Sequence, residues 1–460
     1  MPPAVFVHLS DIHFDDGTSA WSARMNSVRT HLVADLAAMR DRLGMDATAI
    51  VVTGDIAYSG DEKEYQLARA WLDEVATAVG SPDALVLTVP GNHDVHWPSI
   101  LPAARIARES LRSCPPERLT EAIDELIADA SRPLLAPLDN YNRFALGYRC
   151  EVPSNGQPWE APLALSHGYH LALRGLTTVF NSDRNDSPGS LVVGRTQTSL
   201  PLSDPGAVHV LLAHHGPEDC RDRTEIRDRL RHRAWTLLCG HRHDQRIQQV
   251  EGCVELIAGA VHPEEQAGYD PTYNWIRYDV AEDSSGGHRL VTDIWQRVMR
   301  PEWNRFGDGG EGSGPRRYEQ PLPALPAARP SRSAPAAGAV PPGPTADAAP
   351  APSPGAGAQQ QAAALQVPAA AGAAADGAQP RPPLIDDEGR VDAQRRVVRD
   401  LLDLPVPDQE NVLRHCSLLT DDDDKDHVAM ILTALERLDG PGAAAALAAA
   451  VTAAAQGGNQ

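Results

Sequence analysis

The sequence is poor in the features on which several large classes of protein depend. None of its six cysteines stands in a Cys-x-x-Cys pair, which removes the spacing of a structural zinc site or a dithiol redox centre. Cys114, Cys150, Cys220, Cys239, Cys253 and Cys416 read instead as reduced, mostly buried small hydrophobes. Positive charge is scarce: 41 Lys and Arg against 62 Asp and Glu leave a net of −21. Such a surface lacks the clustered cations that wrap nucleic acid without specificity, although a local basic patch can still hold a nucleic-acid substrate. No apolar run reaches the length that crosses a bilayer, and the Ala-rich stretch from Ala443 to Ala455 is too short and too weakly hydrophobic. Near Met1 there is no basic region followed by an apolar signal stretch, and Val5-Phe6-Val7 already reads as a core strand. The expectation is a soluble cytoplasmic protein with no membrane partner, and 460 residues allow two or three domains.

What the chain does carry is a series of five short strings. Asp11-Ile12-His13, Gly54-Asp55, Gly91-Asn92-His93-Asp94, His214-His215 and Gly240-His241-Arg242-His243 follow one another through its first half. Each comes directly after an apolar, strand-forming run: Val5–Leu9, Ala49–Thr53, Leu85–Val89, Val208–Ala213 and Trp235–Cys239, with Val254–Ile257 a further strand. A strand end aims a side chain at a fixed point while the next loop bends freely. Several ends converging with only carboxylate, imidazole and amide groups make a site for hard or borderline divalent cations.

Between the strands lie helical patterns. Val28, Leu32, Leu36, Met39 and Leu43 share one helix face, as do Leu67, Trp71, Val75 and Val79. Strand, helix, strand is the signature of crossover units, and so of an α/β domain over residues 1–300. Pro98–Leu138 reads as mainly helical and carries no site string, which makes 98–140 a helical insertion beside the pocket. From 308 to 383 Ala, Pro and Gly dominate, with too few large apolar residues to offset the entropy of ordering, and a disordered tether is predicted. Residues 386–455 read as a small helical module: Val398, Leu401 and Leu402 on one helix, Val412, Leu413 and Cys416 on a second. Val428, Ile431, Leu432, Leu435 and Leu438 form a clean stripe on a third. The acidic run Asp421–Asp424 reads as the cap of that third helix. A calcium loop needs alternating ligands and a closing Glu that are missing.

A two-metal phosphoester hydrolase needs two cations roughly 3.5–4 Å apart, with a bridging ligand and room for a bridging hydroxide and the substrate oxygens. Asp55, after a glycine at a strand end, suits the bridge because its two oxygens can serve two ions. Asp11 and His13 share a face of an extended segment, as do His241 and His243. Asn92 adds a neutral amide oxygen. His93 sits beside the cluster, where Asp94 is expected to orient its ring and favour its protonated form. A protonated imidazole there serves as the acid for the leaving alkoxide. Taken singly, His13, His93 or His243 would read as ordinary hydrogen-bonded polar residues. Together, so many titratable groups near one point stay unsatisfied without a cation. His8, His167 and His170 read as structural, and His96 and His262 as the best candidates to support the ligands from behind.

The five strings, in this order and at strand ends, resemble the calcineurin-like metallophosphoesterase superfamily over residues 11 to 243, and the likeness should extend to about residue 298. The resemblance implies a four-layer β-sandwich flanked by helices, with the metals at the strand ends. It implies two divalent cations (Mn, Fe or Zn), one on Asp11, His13, Asp55 and His243 and the other on Asp55, Asn92, His214 and His241. His93 would be the catalytic imidazole, Asp94 its partner, and His214 is preferred to His215 because it stands first after its strand. Phosphoprotein phosphatases of the superfamily carry Asp-Arg-Gly after the bridging Asp and Glu after Asn-His. Here Ile56-Ala57-Tyr58-Ser59-Gly60 and Asp94 stand instead, more like the branch acting on phosphodiesters, including cyclic nucleotides and nucleic acids. The alternative is a phosphomonoesterase or protein phosphatase. Metals serving binding alone are disfavoured, since no expected ligand is missing.

Arg221, Arg223, Arg227, Arg229, Arg231 and Arg233 fall between His214 and His241. They read either as a cationic lip steering phosphate or, preferably, as a solvated helix neutralised by Asp222, Glu225 and Asp228. The tethered terminal module loosely resembles the effector-associated or death-like adaptors of bacterial conflict systems. That resemblance implies a protein partner that recruits the enzyme.

Overall fold

The apolar runs that precede the five strings form two mixed sheets. The computed structural model describes residues 2–325 apart from 18–19, 82–84, 185, 201–203, 232, 264–267, 285, 301–304, 311 and 313. It also describes 401–419, apart from 402, 403 and 405, and 443–457. Every residue of β1 (Ala4–Leu9), β2 (Ala49–Val52) and β3 (Leu85–Thr88) is buried, as strands covered on both faces require. They pair in parallel as β1-β2-β3. The other edge of β1 runs antiparallel to β10 (Thr272–Glu282), which pairs with β11 (His288–Arg300).

The second sheet has the order β4 (Trp159–Ala164), β5 (His170–Gly175), β6 (Ala207–Leu212), β7 (Thr236–Cys239), β9 (Cys253–Ile257), β8 (Arg246–Val250). Its inner four strands are parallel and its two edge strands antiparallel. Side chains of β6 alternate between two cores, as the two-residue period dictates. Val208, Val210 and Leu212 join the core shared with Phe6 and Val7 of the first sheet. Leu211 faces the other way, into a cluster with Ile226 and Leu230 of α7 (Arg223–Arg231). The outer face of the first sheet is covered by α1 (Ala20–Leu43), through Leu32, Leu36 and Met39, and by α2 (Glu62–Ala78), through Trp71, Leu72 and Val75. The result is a mixed α/β sandwich flanked by helices, and the parallel strands deliver their C-terminal ends to one edge.

Two expectations are corrected. Leu67 does not belong to the buried stripe of α2: it is 44% exposed, and Ala68, Leu72 and Ala76 take the inward positions. The tether does not begin at 308. β12 (Arg305–Asp308) and β13 (Arg316–Pro321) both pair with β11, and Gln320 Nε2 donates to the Trp235 carbonyl at 2.9 Å. The Gly-rich stretch after Gly307 is therefore the connection between two strands. Its composition reads like the start of a linker because turns and linkers favour the same residues.

Residues 98–140 contain α3 (Pro102–Ser113) and α4 (Leu119–Ile127), followed by α5 (Asp139–Leu146). Near the C-terminus the helices Val406–His415 and Ala443–Gly457 bury Val412, Leu413, Leu447 and Val451 in one cluster with Leu146. The Val428–Leu438 stripe, the Asp421–Asp424 cap, Val398 and Leu402 of the first expected terminal helix, and residues 326–383 of the expected tether lie outside the described residues. Among the described residues no helix is long and apolar enough to cross a membrane.

Candidate metal centre

The loops after the parallel strands are sewn to one another before any side chain is considered. Asp11 N–H donates to the Gly54 carbonyl at 3.1 Å, and Ile12 and His13 N–H both donate to the Asp55 carbonyl, at 2.8 and 3.0 Å. Asp11, His13, Asp55 and His241 adopt left-handed backbone, with φ of 52°, 50°, 52° and 65°, which costs an L-residue roughly 1–2 kcal/mol each. That strain is held by the cross-loop hydrogen bonds and concentrates where the chemistry is expected. Gly54, at φ 91°, admits no side chain: a Cβ there would stand 2.5 Å from His214 Nδ1.

The side chains converge accordingly. Asp11, His13, Asp55 and His214 are buried. Asp55 Oδ1 accepts from the His93 backbone N–H at 2.8 Å. Its Oδ2 lies 3.4 Å from His13 Nε2 and 3.2 Å from His214 Nε2. His214 Nε2 is also 3.1 Å from Asn92 Oδ1. Asp11 Oδ2 accepts from His241 N–H at 3.1 Å, and Oδ1 stands 3.5 Å from His243 Nε2. Ligating atoms of Asp11, His13 and His243 all lie within 4.8 Å of one another, and so do those of Asp11, Asp55 and His214. Buried Asp11 Oδ1 has no hydrogen-bond donor among the described residues. Imidazole and carboxylate lone pairs facing one another with an orphaned buried oxygen fit a divalent cation, which would satisfy them all.

Charge within the cluster is coupled. Burial disfavours protonation of His214, yet the Asp55 and Asp11 carboxylates outweigh it and hold the imidazole at about 9. Burial pushes the Asp55 carboxyl up, but the nearby His214 and His93 and the contacts from His13 and His214 bring it well below the usual range. Asp11 is lowered by the same balance of burial against His243 and His214. Burial and then the positive His214 lower His241. A protonated His214 would point Nε2–H at Asp55 Oδ2 and Asn92 Oδ1, acceptors that a cation could also meet.

His214 and His215 both bring a ligating atom within 4.8 Å of one another and of His241's, but their rings touch different groups. His214 Nδ1 faces the Thr53 carbonyl at 2.7 Å, which turns Nε2 into the cluster. His215 Nδ1 instead meets Thr178 Oγ1 at 2.9 Å, and its ring packs 4.3 Å from that of His241. His262, fully buried, stands behind the ligands: its carbonyl faces His13 Nδ1 at 3.3 Å. His96 is tied to Ser99 Oγ at 2.6 Å, and His8 to Thr53 Oγ1 at 3.0 Å. His170 faces Asp204, and the His167 ring packs against that of His288.

The pairing of Asp94 with His93 is corrected. Asp94 is buried, and four donors surround its oxygens: Ala57 N–H and Tyr65 O–H at Oδ1, both at 3.0 Å, with Gly91 N–H at 2.8 Å and Ile56 N–H at 3.3 Å at Oδ2. Those donors close the loop that carries Asp55. His93 Nδ1 lies 2.7 Å from the Tyr58 carbonyl, an acceptor that sequence reading missed although Tyr58 stands three residues after Asp55. A carbonyl only accepts, so Nδ1 carries the hydrogen and, in the neutral ring, Nε2 is left as the acceptor.

The arginine series behaves mostly as a neutralised helix. Arg229 pairs with Glu225 at 3.1 Å, Arg227 with Glu218, and Arg221 donates to the Cys114 carbonyl at 2.8 Å. Asp222 differs from expectation by accepting from Gly194 N–H at 2.9 Å.

The family model for calcineurin-like phosphoesterases matches residues 4–245. No curated protein matches the chain. Among solved structures, vacuolar protein sorting 29 from Cryptosporidium parvum is 10% identical with a TM-score of 0.30, covering 69% of this chain and 98% of that one. A putative 5′-nucleotidase from Staphylococcus aureus is 12% identical with a TM-score of 0.31, covering 72% of this chain and 56% of that one. The Chaetomium thermophilum counterpart of the first is 9% identical at a TM-score of 0.28, covering 70% and 98%. Likenesses this distant add nothing to the chemistry of the site.

Proposed function

The chain belongs to the calcineurin-like phosphoesterase family, and on that premise we propose that it is a binuclear metal-dependent phosphodiesterase acting on nucleotide or nucleic-acid esters. Asp11, His13, Asp55 and His243 would hold one divalent cation, and Asp55, Asn92, His214 and His241 the other. Manganese, iron and zinc suit such mixed nitrogen and oxygen donors. The observation that carries the reading is Asp55 Oδ2 lying between two donor sets, 3.4 Å from His13 Nε2 and 3.2 Å from His214 Nε2. The cations, when bound, supply Lewis acidity to the phosphoryl oxygens and an activated nucleophile at neutral pH.

The protein's own residues do the rest. His93, fixed through Nδ1 by the Tyr58 carbonyl, presents Nε2 to the ester and, when protonated, passes its proton to the departing alkoxide. Asp94 keeps Ile56, Ala57 and Gly91 in place and so sets where Asp55 points. The preference for diesters rests on the run Ile56-Ala57-Tyr58-Ser59-Gly60 after Asp55, where phosphoprotein phosphatases carry a string containing Asp-Arg-Gly.

The test is a panel of bis(4-nitrophenyl) phosphate, 4-nitrophenyl phosphate, cyclic nucleotides and single-stranded DNA, each with added manganese. Faster turnover of the diesters supports the proposal. Hydrolysis of the monoester alone would replace it with a phosphomonoesterase, and no hydrolysis with any ion would remove it.

A further inference from the structure

A cavity of about 470 Å³ is lined by Trp97, Pro98, Ile100, Arg105, Asp183 and Arg184, a volume within the range of small-molecule sites. It adjoins the reacting end of the centre, because the Trp97 ring lies 6.2 Å from that of His93. Tyr58, 48% exposed, packs its ring 5.4 Å from His93 as well. The mouth beside His93 is therefore aromatic.

Its lining carries two guanidiniums and one carboxylate. The Asp183 carboxylate is already engaged by Arg112 at 3.0 and 3.1 Å. Arg184 lies with its guanidinium carbon 5.0 Å from the Trp97 ring centroid. Among the described residues, neither Arg184 nor Arg105 has a carboxylate partner. On a chain of net charge −21, two guanidiniums without a carboxylate partner among the described residues add local positive potential to this cavity.

The loop that carries Arg184 is anchored. Fully buried Arg108 of α3 donates to the Ser182 carbonyl at 2.6 Å and to the Pro133 and Leu134 carbonyls at 3.2 and 3.1 Å. Arg112, one turn on, donates to the Asn181 carbonyl at 2.9 Å and to Asp186 at 2.9 Å. Two buried or half-buried arginines of α3 thus hold the Asn181 and Ser182 carbonyls before Asp183 and the Asp186 carboxylate after it. The inserted helix thereby positions Arg184 over Trp97.

Resting on the phosphodiesterase reading above, we infer that this cavity is the subsite for the organic group next to the scissile phosphorus. Its occupant is a nucleoside whose base packs on the Trp97 and Ile100 wall and whose second, non-reacting phosphate pairs with Arg184 and Arg105. Guanidinium groups match phosphate in geometry as well as charge. The substrate class is then a phosphorylated dinucleotide or short single strand. A cyclic mononucleotide, whose one phosphate is under attack, leaves the two arginines without a ligand.

The experiment compares 5′-phosphorylated dithymidylate with bis(4-nitrophenyl) phosphate on the manganese-loaded enzyme. It also measures calorimetric binding of thymidine 3′,5′-bisphosphate, which needs no turnover. In Arg184→Glu and Arg105→Glu, the ratio of kcat/KM for the dinucleotide to that for the small diester should fall about 10- to 100-fold, mainly through KM. Trp97→Ala should weaken the bisphosphate by a similar factor, the usual worth of one stacked base, and Trp97→Phe should restore most of it. The exposed control Arg118→Glu should leave both quantities unchanged. Unaltered selectivity and unaltered bisphosphate affinity in the Arg184 and Trp97 variants would overturn the subsite. A phosphotyrosyl peptide that binds more tightly than the bisphosphate, and is lost in the same variants, would overturn it too. A wild-type enzyme that cleaves no ester defeats the phosphodiesterase reading, while the bisphosphate titration still decides the cavity.

Discussion

Gly91 lies so close to Asp55 that a β-carbon at Gly91 would stand 2.8 Å from the Asp55 carboxyl carbon and nearer still to its Oδ1 and backbone nitrogen. Two strings from different strands are thereby locked, and the direction of the proposed bridging carboxylate depends on the absence of a methyl group 36 residues away in sequence. Gly91→Ala is expected to displace Asp55, with at least a tenfold loss of metal affinity and about 1–3 kcal/mol of destabilisation from overpacking. Metal analysis after dialysis and thermal unfolding measure both. A variant that keeps a full metal complement would show that the contact relaxes freely.

His93→Ala should keep its metal and lose turnover of a diester by roughly two to four orders of magnitude, the contribution of a positioned acid. Parallel metal content and kcat are the check, and undiminished kcat would remove His93 from proton transfer.

Asp94→Asn separates two roles for a carboxylate. Because Asp94 accepts from Ile56, Ala57, Gly91 and Tyr65, an amide that must turn a donor toward those N–H groups should cost about 1–3 kcal/mol of stability. The pH dependence of kcat should keep its shape. A shifted acid limb with unchanged stability would restore Asp94 as the partner of His93.

His214→Ala and His215→Ala should diverge. The first removes an imidazole facing Asp55 and Asn92 at 3.2 and 3.1 Å and should lower the bound metal by about one equivalent. The second removes a ring anchored on Thr178 and should lower stability with less effect on stoichiometry. Equal metal loss in both variants would make His215 a ligand.

The raised pKa of His214 gives a pH test. A group whose pKa rises on folding stabilises the metal-free protein fully below its ordinary value of 6.5, and that stability fades as pH climbs through about 9. The lowered Asp11 and Asp55 act in the opposite sense, and their contribution is lost on acidification. Metal must displace the His214 proton, so metal affinity should rise from pH 6 toward about 9 with proton release. Titrations in buffers of different ionisation enthalpy read that release, and a pH-independent affinity would contradict the shift. The Tm of the metal-free protein should fall over the same interval in which metal binding tightens.

The sequence by itself determined the strands that precede each motif, the residue types of the candidate metal centre and the phosphoesterase family, because these depend on local periodicity and on the order and chemistry of short strings. Asp11, His13, Asp55 and the Gly-His-x-His string carry the donor atoms of a candidate cation site wherever they meet. Tertiary structure alone decided what each atom faces. Leu67 and Leu72 are both leucines on α2, and only packing distinguishes the exposed one from the buried one. Asp94 follows His93 in sequence, but the loop turns its carboxylate toward the backbone of Ile56 and Ala57 and gives the imidazole a carbonyl from Tyr58. The glycines after Gly307 have the composition of a linker, and β11 makes them the turn into another strand. The same holds for Trp97 and Arg184, 87 residues apart and brought together where buried Arg108 ties α3 to the Ser182 segment. Hydrogen-bond direction and long-range contact are properties of the folded surface, and no spacing along the chain encodes them.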